Sequence, residues 1–232
     1  FRSTLALPVV VSSAATSITD SAATVNGTID ARNTTTDAKF VYKPASSGTY
    51  ADTVVATPIQ VTGIGATAIS AIITGLDPNT TYDFRALGEN ENGESLGVKQ
   101  SFTTGEAAPV VTTNAASSIA QSSVTLNASV NAQNSSTNTF FAYGTTSGVY
   151  TDTVAANENP VNDGLNDVSV TGSVSGLSAG TKYYFLPYAT NGGGTGLGSE
   201  DSVTTLATVP SIVSVSPTEN SFQNVLNANI VV

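Results

Sequence analysis

One twelve-residue stretch occurs twice in this sequence, and it constrains most of what the chain can fold into. The first copy runs from Gly75 to Ala86, and the second runs from Gly176 to Pro187, 101 residues later. Each copy reads as the end of a strand, a turn and a new strand with a tyrosine near its start. In β-sandwiches such a tyrosine hydrogen-bonds back to the main chain where the chain crosses between sheets. The predicted residues of these tyrosine corners are Leu76 and Tyr82, and Leu177 and Tyr183.

The same spacing runs from one end of the chain to the other. Pro8 returns as Pro109 and again as Pro210, and residues 21–42 return as residues 122–143. Self-similarity at a fixed period indicates repeated structural units. The predicted divisions are a lead strand at 1–7, one unit at 8–105, a second unit at 109–206, and a partial third unit at 210–232.

Within each unit the apolar residues recur with a period of two. Val25, Ile29 and Ala31, for example, alternate with polar neighbours. This period is typical of strands, and turn-forming clusters separate the runs about every ten residues. We therefore predict an all-β fold of two tandem seven-stranded antiparallel β-sandwiches. Pro187 falls in a strand expected to be central, and because proline donates no main-chain hydrogen bond, we expect a bulge or break there.

Each unit resembles a fibronectin type III domain of the kind found in prokaryotic extracellular proteins. The matching residues are Leu76, Pro78, Thr80, Tyr82, Phe84, Arg85, Asn90 and Gly93, and then Leu177, Thr181, Tyr183, Phe185, Asn191 and Gly194. Animal members usually carry a tryptophan in the second strand, whereas this chain has none, so Val25 and Leu126 are expected to fill that volume. Residues 210–232 resemble the opening strands of a bacterial Ig-like domain.

Composition excludes several classes of function. The chain has no His and no Cys, so it can form neither disulfides nor the usual Ser-His and Cys-His nucleophile pairs and zinc sites. It carries 17 acidic against 7 basic residues, a net charge of −10 that repels nucleic-acid phosphates and anionic lipid. No apolar run is long enough for membrane insertion. The carboxylates lie in predicted turns, so we predict no catalytic residue and no enzyme.

The outer face of one sheet differs most between the two units. In the first unit its predicted residues are Lys39, Val41, Asp83, Arg85 and Leu87, and in the second they are Phe140, Ala142, Tyr184, Leu186 and Tyr188. An apolar, aromatic face is typical of a contact surface. Two interpretations stand: another chain, or another part of this one, docks on this face, or a long loop such as 155–167 simply folds over it.

Apolar strands at the chain ends suggest a second mode of contact. Residues 210–232, or residues 5–11, could add a strand to the sheet of a neighbouring copy. The alternative for 210–232 is that they begin a third domain.

Two loops and five asparagines are candidate ligand or modification sites. The loops 157–167 and 89–94 are rich in the oxygen groups that calcium prefers, but neither has EF-hand spacing, so both also read as ordinary acidic turns. No other cofactor is predicted. Asn-x-Ser/Thr sequences, which are glycosylated in some hosts or occur by chance, lie at Asn26, Asn33, Asn79, Asn127 and Asn134.

These observations favour a non-catalytic extracellular protein, secreted or on the cell surface. It would serve as a stalk, an adhesin segment or a filament subunit built of stiff sandwiches. The expected partners are proteins, copies of the chain included, or a surface glycan. The alternative function is an accessory module, a spacer or a carbohydrate-binding module, of a larger secreted enzyme.

Overall fold

The computed structural model describes residues 6–162 and 164–210. All regular elements in these ranges are β-strands, so the predicted all-β fold is confirmed. The described residues contain no helix of the length and apolarity needed to cross a membrane. Residues 1–5 and 211–232 lie outside the described part, and the predictions of a lead strand and a partial third unit fall mainly on them.

The first unit is a sandwich of eight strand segments. In chain order they are β1 (Val9–Thr16), β2 (Ala22–Asp30), β3 (Thr35–Pro44), β4 (Asp52–Thr62), β5 (Ala66–Thr74), β6 (Thr81–Asn90), β7 (Gly93–Leu96) and β8 (Gln100–Thr103). One layer has the order β1-β2-β5, and the other has β4-β3-β6 with β7 and β8 both paired to β6. A single pair, Thr57 with Ser70, joins β4 to β5 and so links the two layers at one side.

The second unit repeats this arrangement. Its strands are β9 (Val110–Ser117), β10 (Ser123–Asn131), β11 (Asn138–Gly144), β12 (Asp152–Ala155), β13 (Asp167–Ser175), β14 (Lys182–Asn191), β15 (Gly194–Leu197) and β16 (Asp201–Thr204). The layers are β13-β10-β9 and β12-β11-β14, with β15 and β16 both paired to β14. All strand pairs in both units are antiparallel.

Each unit buries its own core between the two layers. The largest buried side chains occupy equivalent places: Phe40 and Phe84 in the first unit, Phe141 and Phe185 in the second, all fully buried. Burying aromatic side chains of this size is among the largest stabilising contributions to a small sandwich. Val25 and Leu126 are also buried in their cores, as expected in the absence of tryptophan.

The seventh strand position is interrupted in both units, and for this reason eight segments occupy seven positions. The interruption faces Ala86 in the first unit and Pro187 in the second, whose carbonyls each accept a 2.9 Å hydrogen bond, from Gly97 and Gly198 respectively. The Ala86 N–H, which has no partner on the interrupted strand, donates instead to Ser12 Oγ on β1, at 2.9 Å. Because the fold leaves this N–H without a strand partner, proline fits at 187 with no lost pairing. The break expected at Pro187 in β14 therefore lies in the neighbouring strand position, between β15 and β16.

Candidate functional site

The apolar outer face of the second unit lies across β11 and β14. Phe140 pairs with Tyr188, Ala142 with Leu186, and Tyr184 with Gly144. The five predicted face residues are all partly exposed. The rings of Phe140 and Tyr188 stack with centroids 5.3 Å apart. These residues therefore form one continuous apolar strip, which we call the β11–β14 face.

Two neighbours extend and edge this strip. Leu197 of β15 lies beside Tyr188 and is 63% exposed. At the other end the Lys182 ammonium lies 4.8 Å from the centre of the Tyr184 ring, a cation–π geometry. The face thus exposes apolar side chains on a chain whose net charge is −10.

The long loop of the second unit does not cover the β11–β14 face. It continues along the edge of β11 instead: Ala156 N donates to Thr139 O at 2.9 Å, and Asn159 Oδ1 accepts from Thr139 N at 3.0 Å. Val161 pairs with Thr137 and is 3% exposed within the core. Ala156 and Val161 of the loop turn inward, and Leu165 is 40% exposed. Of the two interpretations, the loop cover is therefore the one that the geometry disfavours.

The equivalent face of the first unit holds a polar network centred on Asp83. Its carboxylate accepts from Ser101 Oγ at 2.6 Å and from Lys99 Nζ at 3.2 Å, and Lys43 Nζ lies 3.7 Å away. The Ser101 hydrogen bond, with Lys99 and Lys43 nearby, holds the pKa of Asp83 below its usual value despite burial. At the edge of the same face Lys39 pairs with Glu89 at 3.0 Å. Asp83, Lys99, Lys39 and Glu89 thus pair within the unit, whereas Arg85 on the same face has its Nε buried without a hydrogen-bond partner among the described residues.

The tyrosine-corner residues meet as the repeat suggests. Asp77 N donates to Tyr82 Oη at 2.9 Å, and Ser178 N donates to Tyr183 Oη at 3.0 Å. Leu76 is 6% exposed, and Leu177 packs on the second core. Burial raises the pKa of Tyr82, which keeps its phenol neutral.

A buried threonine secures each corner from the opposite side. Thr104 Oγ1 donates to Asp77 O at 2.7 Å and accepts from Thr80 N at 2.9 Å. Thr205 makes the same contacts with Ser178 O at 2.6 Å and Thr181 N at 3.0 Å. The corner is thus a fixed turn at one end of each sandwich.

This fixed turn of the first unit contacts the second unit. Asn79 Nδ2 donates to Asn134 O at 2.7 Å. Asn134 Nδ2 in turn donates to Pro78 O and to Thr80 Oγ1, each at 3.0 Å. We call these three hydrogen bonds the asparagine clasp. It joins the corner turn of one unit to the turn that follows β10 in the other.

The linker between the units is hydrogen-bonded to both units. Gly105 N donates to Thr19 O and Gly105 O accepts from Asn79 N, both at 2.9 Å, which fixes it to the first unit. Ala107 O accepts from Asn191 Nδ2 at 3.0 Å, which fixes it to the second. Only one residue, Glu106, separates these attachments, so the linker has little freedom of its own.

Four of the five Asn-x-Ser/Thr asparagines use their side-chain nitrogen inside the fold. Asn26 Nδ2 donates to Ala14 O at 2.9 Å and Asn127 Nδ2 to Ala115 O at 2.7 Å, where the register of β1 or β9 shifts. Asn79 and Asn134 belong to the clasp. Asn33 is exposed on a turn at φ 67°. Since a glycan attaches to that nitrogen, glycosylation, which stays a prediction, is compatible with this geometry mainly at Asn33.

Several oxygen groups of the oxygen-rich loops form hydrogen bonds or ion pairs within the protein itself. Glu158 accepts from Thr171 N at 2.7 Å, and Glu89 pairs with Lys39. Within residues 6–162 and 164–210, no three acidic side chains gather in a way that could hold a metal ion. Calcium binding stays a prediction.

One cavity of about 260 Å³ lies at the irregularity between β3 and β4. It is lined by Asp37, Ala38, Lys39, Val55, Ile59 and Gln60. Gln60 Nε2 donates to Asp37 Oδ1 at 2.8 Å, and Lys39 is paired with Glu89. The ionisable groups lining it are thus already partnered.

Comparison with known proteins yields structural similarity only. No family model and no curated protein matches the chain. The FN1–FN3 domains of chicken CNTN1 match at 15% identity and a TM-score of 0.47, over 83% of this chain and 64% of that one, just under two thirds of its length. Two structures of the sensor domain of the anti-sigma factor RsgI4 from Pseudobacteroides cellulosolvens also match. The longer has 26% identity and a TM-score of 0.32 over 43% of this chain and 90% of that one; the shorter has 24% and 0.34 over 44% and 98%.

The strand order decides the fold. Three strands face a second layer of four strand positions, with a tyrosine corner at the crossover. Each unit is a fibronectin type III-like, Ig-like sandwich.

Sequence reasoning missed the clasp and the linker attachments. The repeat nevertheless carried a signal for some of them, because polar residues recur at the same spacing: Thr104 and Thr205, Asn90 and Asn191, and Asn33 and Asn134. A polar residue kept in both copies where turns are expected suggests a hydrogen bond that the fold requires. The partners in the first unit, Pro78 and Asn79, do not recur, so no such signal marked them.

Proposed function

We propose that this chain is a non-catalytic spacer of the prokaryotic extracellular kind. It would act in a secreted or cell-surface stalk, adhesin segment or filament. There its stiff sandwiches would hold the parts of the assembly on either side of them at a set distance. The asparagine clasp carries this proposal, since a flexible tether would need no hydrogen bonds between its domains.

Two features support a stiff connection over a hinge. The linker is attached to both units, with one residue between the attachments. The corner turn that enters the clasp is itself fixed by Tyr82 and Thr104. A bend at the junction must therefore break the clasp or a linker attachment.

The β11–β14 face supports a role in protein contact, and we propose a second copy of this chain as its occupant. The argument is electrostatic: at a net charge of −10, two copies repel over most of their surface. They can approach where a face is apolar and uncharged, as Phe140, Leu186 and Tyr188 are. Aromatic side chains are enriched in such contacts.

Stiffness is tested by pulsed electron spin resonance on a doubly labelled chain. The protein has no cysteine, so Gly48→Cys and Val149→Cys would carry the only two labels, at an exposed hairpin tip of each unit. We expect one narrow distance distribution, which widens when Asn134→Ala removes the clasp. A distribution that is already broad in the labelled parent would overturn the proposal.

A further inference from the structure

The asparagine clasp has two halves, on opposite ends of a sandwich. The half on the second unit is the turn after β10, where Asn134 offers both its main-chain oxygen and its side-chain nitrogen. The half on the first unit is the corner turn, which offers Pro78 O, Thr80 Oγ1 and the Asn79 side chain. We call these ends the Asn end and the corner end of a unit.

The first unit has an Asn end built like that of the second. Asn33 N donates to Gly63 O at 2.8 Å, as Asn134 N donates to Gly164 O at 3.0 Å. Both asparagines adopt positive φ, 67° and 60°. They differ in that Asn33 is exposed, whereas Asn134 is partly buried by the clasp.

The chain also approaches both Asn ends along the same path. Ala6 O accepts from Asn90 Nδ2 at 3.0 Å, and Ala107 O accepts from Asn191 Nδ2 at 3.0 Å. Ala6 therefore holds the place in the first unit that Ala107 holds in the second.

The second unit has a matching corner end. Thr181 Oγ1 donates to Ala179 O at 3.2 Å, as Thr80 Oγ1 donates to Pro78 O at 2.8 Å. Thr205 fixes this turn as Thr104 fixes the other. Gly180 replaces Asn79, so this end retains the acceptors for an asparagine side chain but lacks the third donor.

We propose that copies of this chain associate head to tail, the Asn33 turn of one copy seated on the Ala179–Thr181 turn of the next. The contact would reproduce two of the three clasp hydrogen bonds, from Asn33 Nδ2 to Ala179 O and Thr181 Oγ1. Because the two surfaces differ and lie on opposite ends, the contact is heterologous, and repeated contacts build an extending row. This inference rests on the proposed function, since only a stiff pair of units propagates in one direction.

The contact is weak without a linker. Inside the chain the linker supplies a high effective concentration of one half for the other, which separate copies lack. Association is therefore expected where copies are crowded, and a trapping method suits it better than dilution-based methods.

The test is cross-linking of the variant Arg32→Cys/Ser178→Cys by a short bis-maleimide in concentrated solution, because both residues are exposed beside the proposed contact and their substitution leaves Asn33 and Thr181 in place. We expect a ladder of dimers and higher oligomers on a denaturing gel. The control Gly48→Cys/Ser178→Cys places both thiols at corner ends, and should give several-fold less oligomer. The variant Asp77→Cys/Gln133→Cys, the equivalent pair beside the clasp, should cross-link within one chain, which calibrates the reagent's reach across a clasp.

A ladder equal in both intermolecular pairs, or absent from both, would overturn the inference. Either result leaves the spin-label measurement unaffected, so a stiff chain that does not associate head to tail is distinguishable from a flexible one. A Thr181→Val substitution in the trapping variant should also reduce the ladder, because it removes one acceptor while preserving shape.

Discussion

Asn79 donates its side-chain amide to the main-chain oxygen of Asn134, 2.7 Å away, across the boundary between the two sandwiches. Asn134 returns two hydrogen bonds to the turn that holds Asn79. Each neutral hydrogen bond contributes roughly 0.5–1.5 kcal/mol. The clasp thus has enough free energy to favour one arrangement of the units and little enough to be broken by one substitution.

Asn134→Ala should loosen the junction without unfolding either unit. The two side-chain hydrogen bonds of the clasp are lost, while both cores stay intact. We expect the interdomain distance distribution to widen and the unfolding transitions to shift little. Asn33→Ala is the matched control, because the side chain of the equivalent residue in the first unit makes no hydrogen bond with residues 6–162 and 164–210; it should leave the distribution unchanged. Equal widening in both variants would contradict the role of the clasp.

Removing a corner hydroxyl should destabilise the unit that contains it. Tyr82→Phe leaves Asp77 N–H without its acceptor in a partly buried turn, at a cost of about 1–3 kcal/mol. Urea unfolding followed by circular dichroism should show the transition of the first unit moved to lower urea. Tyr188→Phe, which removes a hydroxyl from the β11–β14 face, should change stability by less than about 0.5 kcal/mol. If both variants unfold alike, the corner hydrogen bond has no special weight.

The strand interruption requires glycine at 97 and 198. A Cβ at Gly97 would lie 2.6 Å from Ser12 N, and one at Gly198 would lie 2.7 Å from Pro187 Cγ. Gly97→Ala should therefore push β1 away from β6, at a cost of about 1–3 kcal/mol. Gly48→Ala is the control, since a Cβ there meets nothing within 4 Å. Thermal unfolding compares the two, and an unchanged midpoint for Gly97→Ala would contradict this packing.

The Asp83 network should make the first unit sensitive to acid. The pKa of Asp83 is lower in the folded state than its ordinary 3.8, so its contribution is fully present above that pH. It is lost as the pH falls through the lower, folded-state pKa. Asp83→Asn should destabilise the unit by about 1–3 kcal/mol at neutral pH, less than a fully buried pair because Lys99 is exposed.

The acid dependence separates charge from shape. Urea unfolding at neutral pH and near pH 2 should show a large difference in the free energy of unfolding between parent and Asp83→Asn at the higher pH. At the lower pH this difference should be small. The more exposed Lys39–Glu89 pair provides the control, and Glu89→Gln should cost at most about 1 kcal/mol. A constant difference across pH would show that the hydrogen bonds, not the charge, stabilise the network.

Polar substitutions on the β11–β14 face should reduce lateral association of copies. Leu186→Ser removes apolar surface at the centre of the strip while leaving the core side of β14 intact. Sedimentation velocity at increasing concentration should show less self-association for this variant than for the parent. Val41→Ser is the control, because it removes apolar surface from the equivalent face of the first unit, where Val41 pairs with Arg85. A parent that shows no concentration dependence would exclude a second copy as the occupant.

Periodicity predicted the fold because it reports burial directly. The positions of Phe40, Phe84, Phe141 and Phe185 followed from alternation, and all four are fully buried. The strand interruption was harder to locate, since proline at 187 indicated a gap in pairing but not which strand would supply it. The answer depends on Gly198, which follows β15, and, in the first unit, on the side chain of Ser12.

The junction lay beyond periodicity altogether. Asn79 and Asn134 are separated by 55 residues and meet only because two turns at opposite ends of neighbouring units are brought together. The sequence marked both as Asn-x-Ser/Thr motifs, which says nothing about contact. The aromatic face was visible from alternation, whereas the inward course of the loop beside it depends on the hydrogen bonds of Thr139.

The attachment of Glu106 between two anchored neighbours has a mechanical consequence. When the chain is pulled from its ends, the junction and the two sandwiches bear the same tension in series, and the junction resists it with only a few hydrogen bonds. The few polar contacts at the junction would then break first and re-form when the load is released. The protein would therefore extend under small forces while its sandwiches remain folded.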